Sequence, residues 1–278
     1  MKLYAFVPLV TYPDANSEAF AANAVALAAA IGASVNAYAI EVDIPDVSNT
    51  LSTFLMNTPE MIRQARATSR KRGSDLLEKL HAKAVVAAVE MTSGYLAAPL
   101  ALPGESAAVR ARYFDLSLVG WETENPTARA AAEAIVFGSG RPAILLPDTA
   151  KIGSLAKIAI AWDGSRVAAR AVADARFLLE RAESVAILTV TGEKRLNESD
   201  TGERLAEILN RQGVRAQASA LPLADRPIAE TLQQAAIERG CTLLVMGGYG
   251  HSRLRDFVLG GATRGVLDEL LLPVLLSH

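Results

Sequence analysis

The chain has 278 residues, of which 51% are hydrophobic and 21% charged, which excludes a disordered polyelectrolyte and fits two packed domains of ordinary size. The formal net charge is −2, with 12 Lys+Arg against 15 Asp+Glu in residues 1–150 and 16 against 15 in residues 151–278, so neither half has the basic excess of a nucleic-acid binder. A single cysteine, Cys241, and three scattered histidines (His81, His251, His278) exclude an intramolecular disulfide and an iron–sulfur centre and argue against a dedicated metal site.

The opening MKLYAFVPLV is too short for a membrane span and has no small-residue cleavage site. It reads as a buried strand, Leu3–Val10, in a cytoplasmic protein without membrane segments. Hydrophobic periodicity then predicts a helix at Asn16–Ile31, a strand at Ser34–Ile40, an insertion over Asp43 to Thr58 and a helix at Pro59–Lys83. A strand at Val85–Met91 follows, then a helix at Glu105–Arg112, a strand at Asp115–Gly120, a helix at Pro126–Phe137 and a strand at Pro142–Leu146. The run Arg63, Arg66, Arg70, Lys71 and Arg72 on the long helix reads as a solvated face, or as a surface for an acidic partner or lipid.

Beyond a connection near Asp148 to Leu155 the pattern begins again. Strands are expected at Lys157–Trp162, Ser184–Val190, Val214–Leu221, Thr242–Gly247 and Pro273–Ser277. Helices are expected at Ser165–Arg181, with Ser165 as N-cap, and at Thr201–Gln212, Pro227–Arg239 and Ala262–Leu271. DLSLVG at Asp115 and TLLVMG at Thr242 stand 127 residues apart, and each leads to a Pro-led apolar run, PAILLP (Pro142 to Pro147) and PVLLSH (Pro273 to His278). The chain is therefore read as two copies of one α/β unit, residues 1–148 and 155–278. Each copy is a doubly wound, five-stranded parallel sheet, with ligands expected beyond the carboxyl ends of the strands.

The stretch MGGYGHSRLRDFVLGGATRGVL, Met246 to Leu267, concentrates the candidate chemistry. Gly247, Gly250, Gly260 and Gly261 let backbone N–H groups approach a ligand, and Gly260–Gly261–Ala262–Thr263 opens a helix whose first turn favours anions. His251 and Arg253 can meet phosphate, Arg253 through a charge-assisted bond. A lone glycine pattern more often just turns the chain. This one is neither a P-loop nor a dinucleotide fingerprint, since it follows the fourth strand.

The G-x2-G-x9-G spacing at Gly247, Gly250 and Gly260, with Asp163 ending the first strand of the copy, resembles the universal stress protein family in its tandem form. The resemblance implies two adenine nucleotide alpha hydrolase-like domains joined as an internal pseudo-dimer whose final strands pair. It implies an adenine nucleotide, ATP first, with Mg²⁺ on the phosphates. Asp163 would contact adenine, Thr189 and Val190 would line base and ribose, and Gly247, Gly250, Gly260 and Gly261 would hold phosphates. Read from the residues, Ala161 and Trp162 stand beside that base pocket, Trp162 equally as a packed strand-end aromatic; Met246 reads as strand core that can also touch adenine; Ala262 and Thr263 open the next helix, where Thr263 can add a hydroxyl donor. Gly261 stands where the family has Ser or Thr, which removes one hydroxyl donor. In the first copy Leu9 and Val10 replace the aspartate, and Glu122 and Glu124 stand where phosphate would sit, so that site is expected to be lost.

No base, nucleophile and orienter set is legible, so a dedicated enzyme is not expected, slow ATP hydrolysis aside. Two readings stand: a nucleotide-binding regulatory factor of the stress response with a protein partner, and a scaffold that keeps the fold without nucleotide. A further homodimer is left open.

Overall fold

The computed structural model describes residues 2–45, 58–192, 200–223, 226–248 and 261–278. Strand and helix alternate through the first repeat as β1 (Leu3–Val10), α1 (Glu18–Ile31), β2 (Ala33–Asp43), α2 (Thr58–Val86), β3 (Met91–Pro99), α3 (Pro103–Ala111), β4 (Leu116–Trp121), α4 (Pro126–Gly138) and β5 (Ala143–Pro147). The second repeat runs β6 (Lys157–Ala161), α5 (Arg166–Asp174), α6 (Arg176–Leu179), β7 (Ser184–Thr191), α7 (Thr201–Arg211), β8 (Ala216–Pro222), α8 (Ile228–Glu238), β9 (Leu243–Gly247), α9 (Gly261–Asp268) and β10 (Val274–Ser277). Each repeat thus supplies five strands of an α/β fold. The chain divides into two compact units, Met1–Ser139 and Gly140–His278.

In the first unit the strands lie in the order β3-β2-β1-β4 and every pair is parallel. All of β1 except Tyr4 is buried, as are all six residues of β4, the near-continuous burial of strands covered on both faces. The expected strand at Val85–Met91 is displaced: α2 continues through Val85 and Val86, and β3 begins only at Met91. The helix ends in a Schellman turn, with Ala88 N–H donating to the Val85 carbonyl at 3.2 Å and Val89 N–H to the Ala84 carbonyl at 2.9 Å. The two valines that suggested a strand are simply exposed at the last turn.

In the second unit the order is β5-β10-β9-β6-β7-β8. All pairs are parallel except β5 with β10, which run antiparallel with Val274 opposite Leu145 and Leu276 opposite Ala143. PAILLP and PVLLSH therefore pair with each other, and the last strand of the first repeat packs in the second unit. The core of this unit is aliphatic, with Ile158, Ala159, Leu243, Leu244, Val245, Val274, Leu275 and Leu276 fully buried. The single helix expected over Ser165–Arg181 is split at Ala175, whose backbone stands at φ −81°, ψ 0°, in the sparsely allowed bridge region.

Candidate functional site

In each unit the first strand is flanked by the second on one side and the fourth on the other, so a crevice opens at the carboxyl ends of the first and fourth strands. In the second unit these are β6 and β9, in register Ile160 opposite Val245. β6 stops at the half-buried Ala161. Trp162 then donates its N–H to the Leu188 carbonyl at 2.9 Å and its indole Nε1–H to the Thr201 carbonyl at 3.1 Å, which directs the ring toward the start of α7. Asp163 follows, exposed. Its Oδ1 accepts the Ser165 N–H at 2.9 Å, and Ser165 Oγ accepts the Ala168 N–H at 3.2 Å, so carboxylate and hydroxyl together finish the N-terminus of α5. Asp163 Oδ2 makes no hydrogen bond among the described residues.

At the end of β7 the two neighbours diverge. Thr189 is 7% exposed, and its hydroxyl, without a partner among the described residues, lies under Gly202 of α7, where an added Cβ would come within 3.1 Å of Oγ1. Its side chain thus faces α7. Val190, half-buried, points to the opposite face of the sheet.

Gly247 ends β9 against the first turn of α5. A Cβ there would stand 2.5 Å from the Val167 carbonyl carbon and 2.6 Å from the Ala168 nitrogen, so this glycine lets helix and strand close on each other. Met246, one residue earlier, is buried in the core. Gly248 N–H donates to the Ser277 carbonyl at 2.7 Å, and His278 Nδ1 lies 2.9 Å from the Gly248 carbonyl, tying this strand end to β10. Gly250, His251, Arg253 and Gly260 lie outside the described residues. The chain is described again from Gly261, where α9 begins with Gly261, the half-buried Ala262 and the buried Thr263. Thr263 Oγ1 donates to the Gly247 carbonyl at 3.4 Å, so α9 starts beside the end of β9, with the N–H groups of its first turn free of intrahelical acceptors. The Thr263 hydroxyl is thus turned onto a backbone carbonyl.

The corresponding crevice of the first unit is filled by its own side chains. Gly120 takes the place of Gly247, with a virtual Cβ 3.0 Å from Asn16 Nδ2 and 3.2 Å from the Phe20 ring. Glu122, expected to repel an anion, is 4% exposed and turned inward. Its carboxylate accepts the Ser17 N–H at 2.6 Å, Asn16 Nδ2 at 3.0 Å and Asn125 Nδ2 at 3.1 Å. What remains is a cavity of about 10 Å³ lined by Val10, Asn16, Gly120 and Ile135 among others, room for about one water. Sequence reading missed Asn16 and Asn125. The signal was the helix-start pattern Asn125-Pro126 beside a lone buried-strand acid.

Elsewhere the basic run on α2 is mostly engaged: Arg63 with Glu60, Arg70 with Glu41 at 3.2 Å, Arg66 with the Ile44 carbonyl and Arg72 with the Thr11 and Pro13 carbonyls. Cys241 is buried, and burial pushes its thiol above the ordinary range. Among the described residues no three His, Cys, Asp or Glu gather to hold a metal, and no helix is long and apolar enough to cross a membrane.

Comparison with known proteins adds to this geometry. The model of the universal stress protein family matches residues 155–278. A universal stress protein from Archaeoglobus fulgidus is similar in structure over 98% of this chain and 95% of its own, with TM-score 0.71 and 14% identity. A functionally unknown protein from Pseudomonas aeruginosa PAO1 matches over 98% and 92%, with TM-score 0.53 and 13% identity. A universal stress protein in complex with cAMP matches over 44% of this chain and 96% of its own, with TM-score 0.32 and 20% identity. No curated protein sequence matches.

Proposed function

We propose, on the match of residues 155–278 to the universal stress protein family model, that the second unit binds an adenine nucleotide, ATP first, as a regulatory or protective factor of the stress response. The observation that carries the reading is the start of α9 beside the end of β9, held there by the Thr263 to Gly247 bond. That arrangement offers the free N–H groups of a helix N-terminus at the switch point of a parallel sheet, where anionic ligands are favoured. Asp163, already anchored through Oδ1, has Oδ2 for the adenine amine. Ala161, Trp162 and Val190 frame the base and ribose, and Gly261, Ala262 and Thr263 give the phosphates backbone donors, with Mg²⁺ carried by the phosphates themselves. Gly250, His251, Arg253 and Gly260 complete the phosphate side in this reading.

No pair of base and orienter stands at this crevice among the described residues, so the reading is of a binder in which hydrolysis is at most slow. The chain acts in the cytoplasm, with a protein partner reading the nucleotide state. The bond from Ser165 to Asp163 also favours a second reading, a scaffold in which the aspartate serves only α5. Isothermal titration with ATP, ADP, AMP and cAMP, on wild type and Asp163→Ala, separates the two. Saturable binding that is lost in the variant supports the nucleotide reading. No heat from any of the four nucleotides up to millimolar concentration leaves the scaffold.

A further inference from the structure

Glu122 breaks the usual rule for acids at strand ends. It follows β4 directly, is 96% shielded from solvent and has no basic partner among the described residues. All three of its donors are neutral: the backbone N–H of Ser17, the N-cap residue of α1, and the side-chain amides of Asn16 and Asn125. A carboxylate this deeply buried is retained only where its hydrogen bonds replace lost hydration.

The donors are themselves fixed. Asn16 Oδ1 accepts the Val10 N–H at 2.7 Å, and the Asn16 N–H returns to the Val10 carbonyl at 3.0 Å. Asn125 Oδ1 caps α4 through the Ala128 N–H at 2.9 Å, while its Nδ2 also lies 3.3 and 3.2 Å from the Asp14 and Ala15 carbonyls. The N-terminus of α1, the end of β1 and the N-cap of α4 therefore converge on one carboxylate. They do so at the crevice between the first and fourth strands, and α1 is a full 14-residue helix whose dipole favours negative charge at that end.

We infer that Glu122 is an intramolecular plug: the chain's own carboxylate occupies the anion position of the first unit's crevice and holds that unit closed without an external ligand. This rests on the geometry of the first unit alone and stands whether or not the second unit binds nucleotide. It makes Glu122 a positioning residue for the Asp14–Ser17 turn, and it turns the first unit into a part whose conformation is insensitive to the small anions around it.

Formate rescue of the full-length Glu122→Ala variant tests the inference, with Glu122→Gln and wild type beside it and sodium chloride at equal ionic strength as control. Removing the carboxylate takes an acceptor from three donors, and the melting temperature should fall by about 4–10 °C. Sodium formate should recover most of that loss saturably in Glu122→Ala, and slow the exchange of the Ser17 amide back toward wild type. It should do neither in Glu122→Gln, whose side chain fills the space. Formate acting on Glu122→Ala no better than chloride, or equally on all three proteins, overturns the inference. If Glu122→Ala does not fold, Ser17 amide exchange in Glu122→Gln decides: at least tenfold faster than wild type supports the plug, and unchanged exchange overturns it.

Discussion

The two units carry one topology at the crevice and use it in opposite ways. In the first, β4 passes Gly120, ends at Trp121 and continues into Glu122, whose carboxylate meets the N-terminus of α1 and leaves a water-sized void. In the second, the strand ends in Gly247, and the N-terminus of α9 stands beside that strand end. The same backbone crevice is thus closed by an internal carboxylate in one unit and, on the proposed function, takes an external anion in the other. A duplicated fold can separate a structural half from a responsive half by changing the few residues after one glycine.

The largest expected effect concerns β5, which belongs to the first repeat in sequence but pairs with β10. A fragment beginning at Leu155 leaves the apolar edge of Val274, Leu275 and Leu276 unpaired, whereas one beginning at Gly140 keeps it covered. Sedimentation velocity should show the shorter fragment shifted to large species relative to the longer one. Equal behaviour would mean that β5 is dispensable to the second unit.

Next come the paired glycines. Gly247→Ala drives a Cβ into the backbone of Val167 and Ala168 at 2.5–2.6 Å, whereas Gly120→Ala meets an amide nitrogen and a ring at 3.0–3.3 Å. Denaturant unfolding should give a loss of about 3 kcal/mol for Gly247→Ala and about 1 kcal/mol for Gly120→Ala. Reversal of that order would contradict the tighter seating of α5.

A smaller contrast lies at the ends of α2 and α7, which close in the same Schellman turn. The left-handed residue is Gly213 at φ +85° in the second unit but Ala88 at φ +53° in the first. Thermal melts should show Ala88→Gly stabilising by about 0.5 kcal/mol and Gly213→Ala destabilising by about 1 kcal/mol. The smallest signal is Cys241, whose thiol is buried and shifted upward, so it stays protonated and slow to react around pH 8. As the chain's single cysteine, its labelling rate reports opening of the second unit alone. ATP should slow it and Glu122→Gln should leave it unchanged.

The strands and helices of the second unit were legible because their apolar periods are clean, although the split at Ala175 was not. Ser165 does cap α5, and β9 does end at Gly247. β3 was misplaced because the last turn of α2 carries two valines, and β-branched residues there mimic a strand where the Schellman turn that follows decides. The candidate site was legible only as residue types. That Asp163 spends one oxygen on α5, that Thr189 faces α7 and that Glu122 is buried rather than exposed all depend on which face and which helix each side chain meets. Periodicity fixes alternation along a strand, not the partner that covers it.

The central claim is asymmetry, and the stoichiometry of ATP binding tests it most directly. Titration of the full chain should give one ATP per chain, abolished by Asp163→Ala and retained in Glu122→Gln. Two sites per chain, or binding that survives Asp163→Ala and disappears with Glu122→Gln, would contradict it.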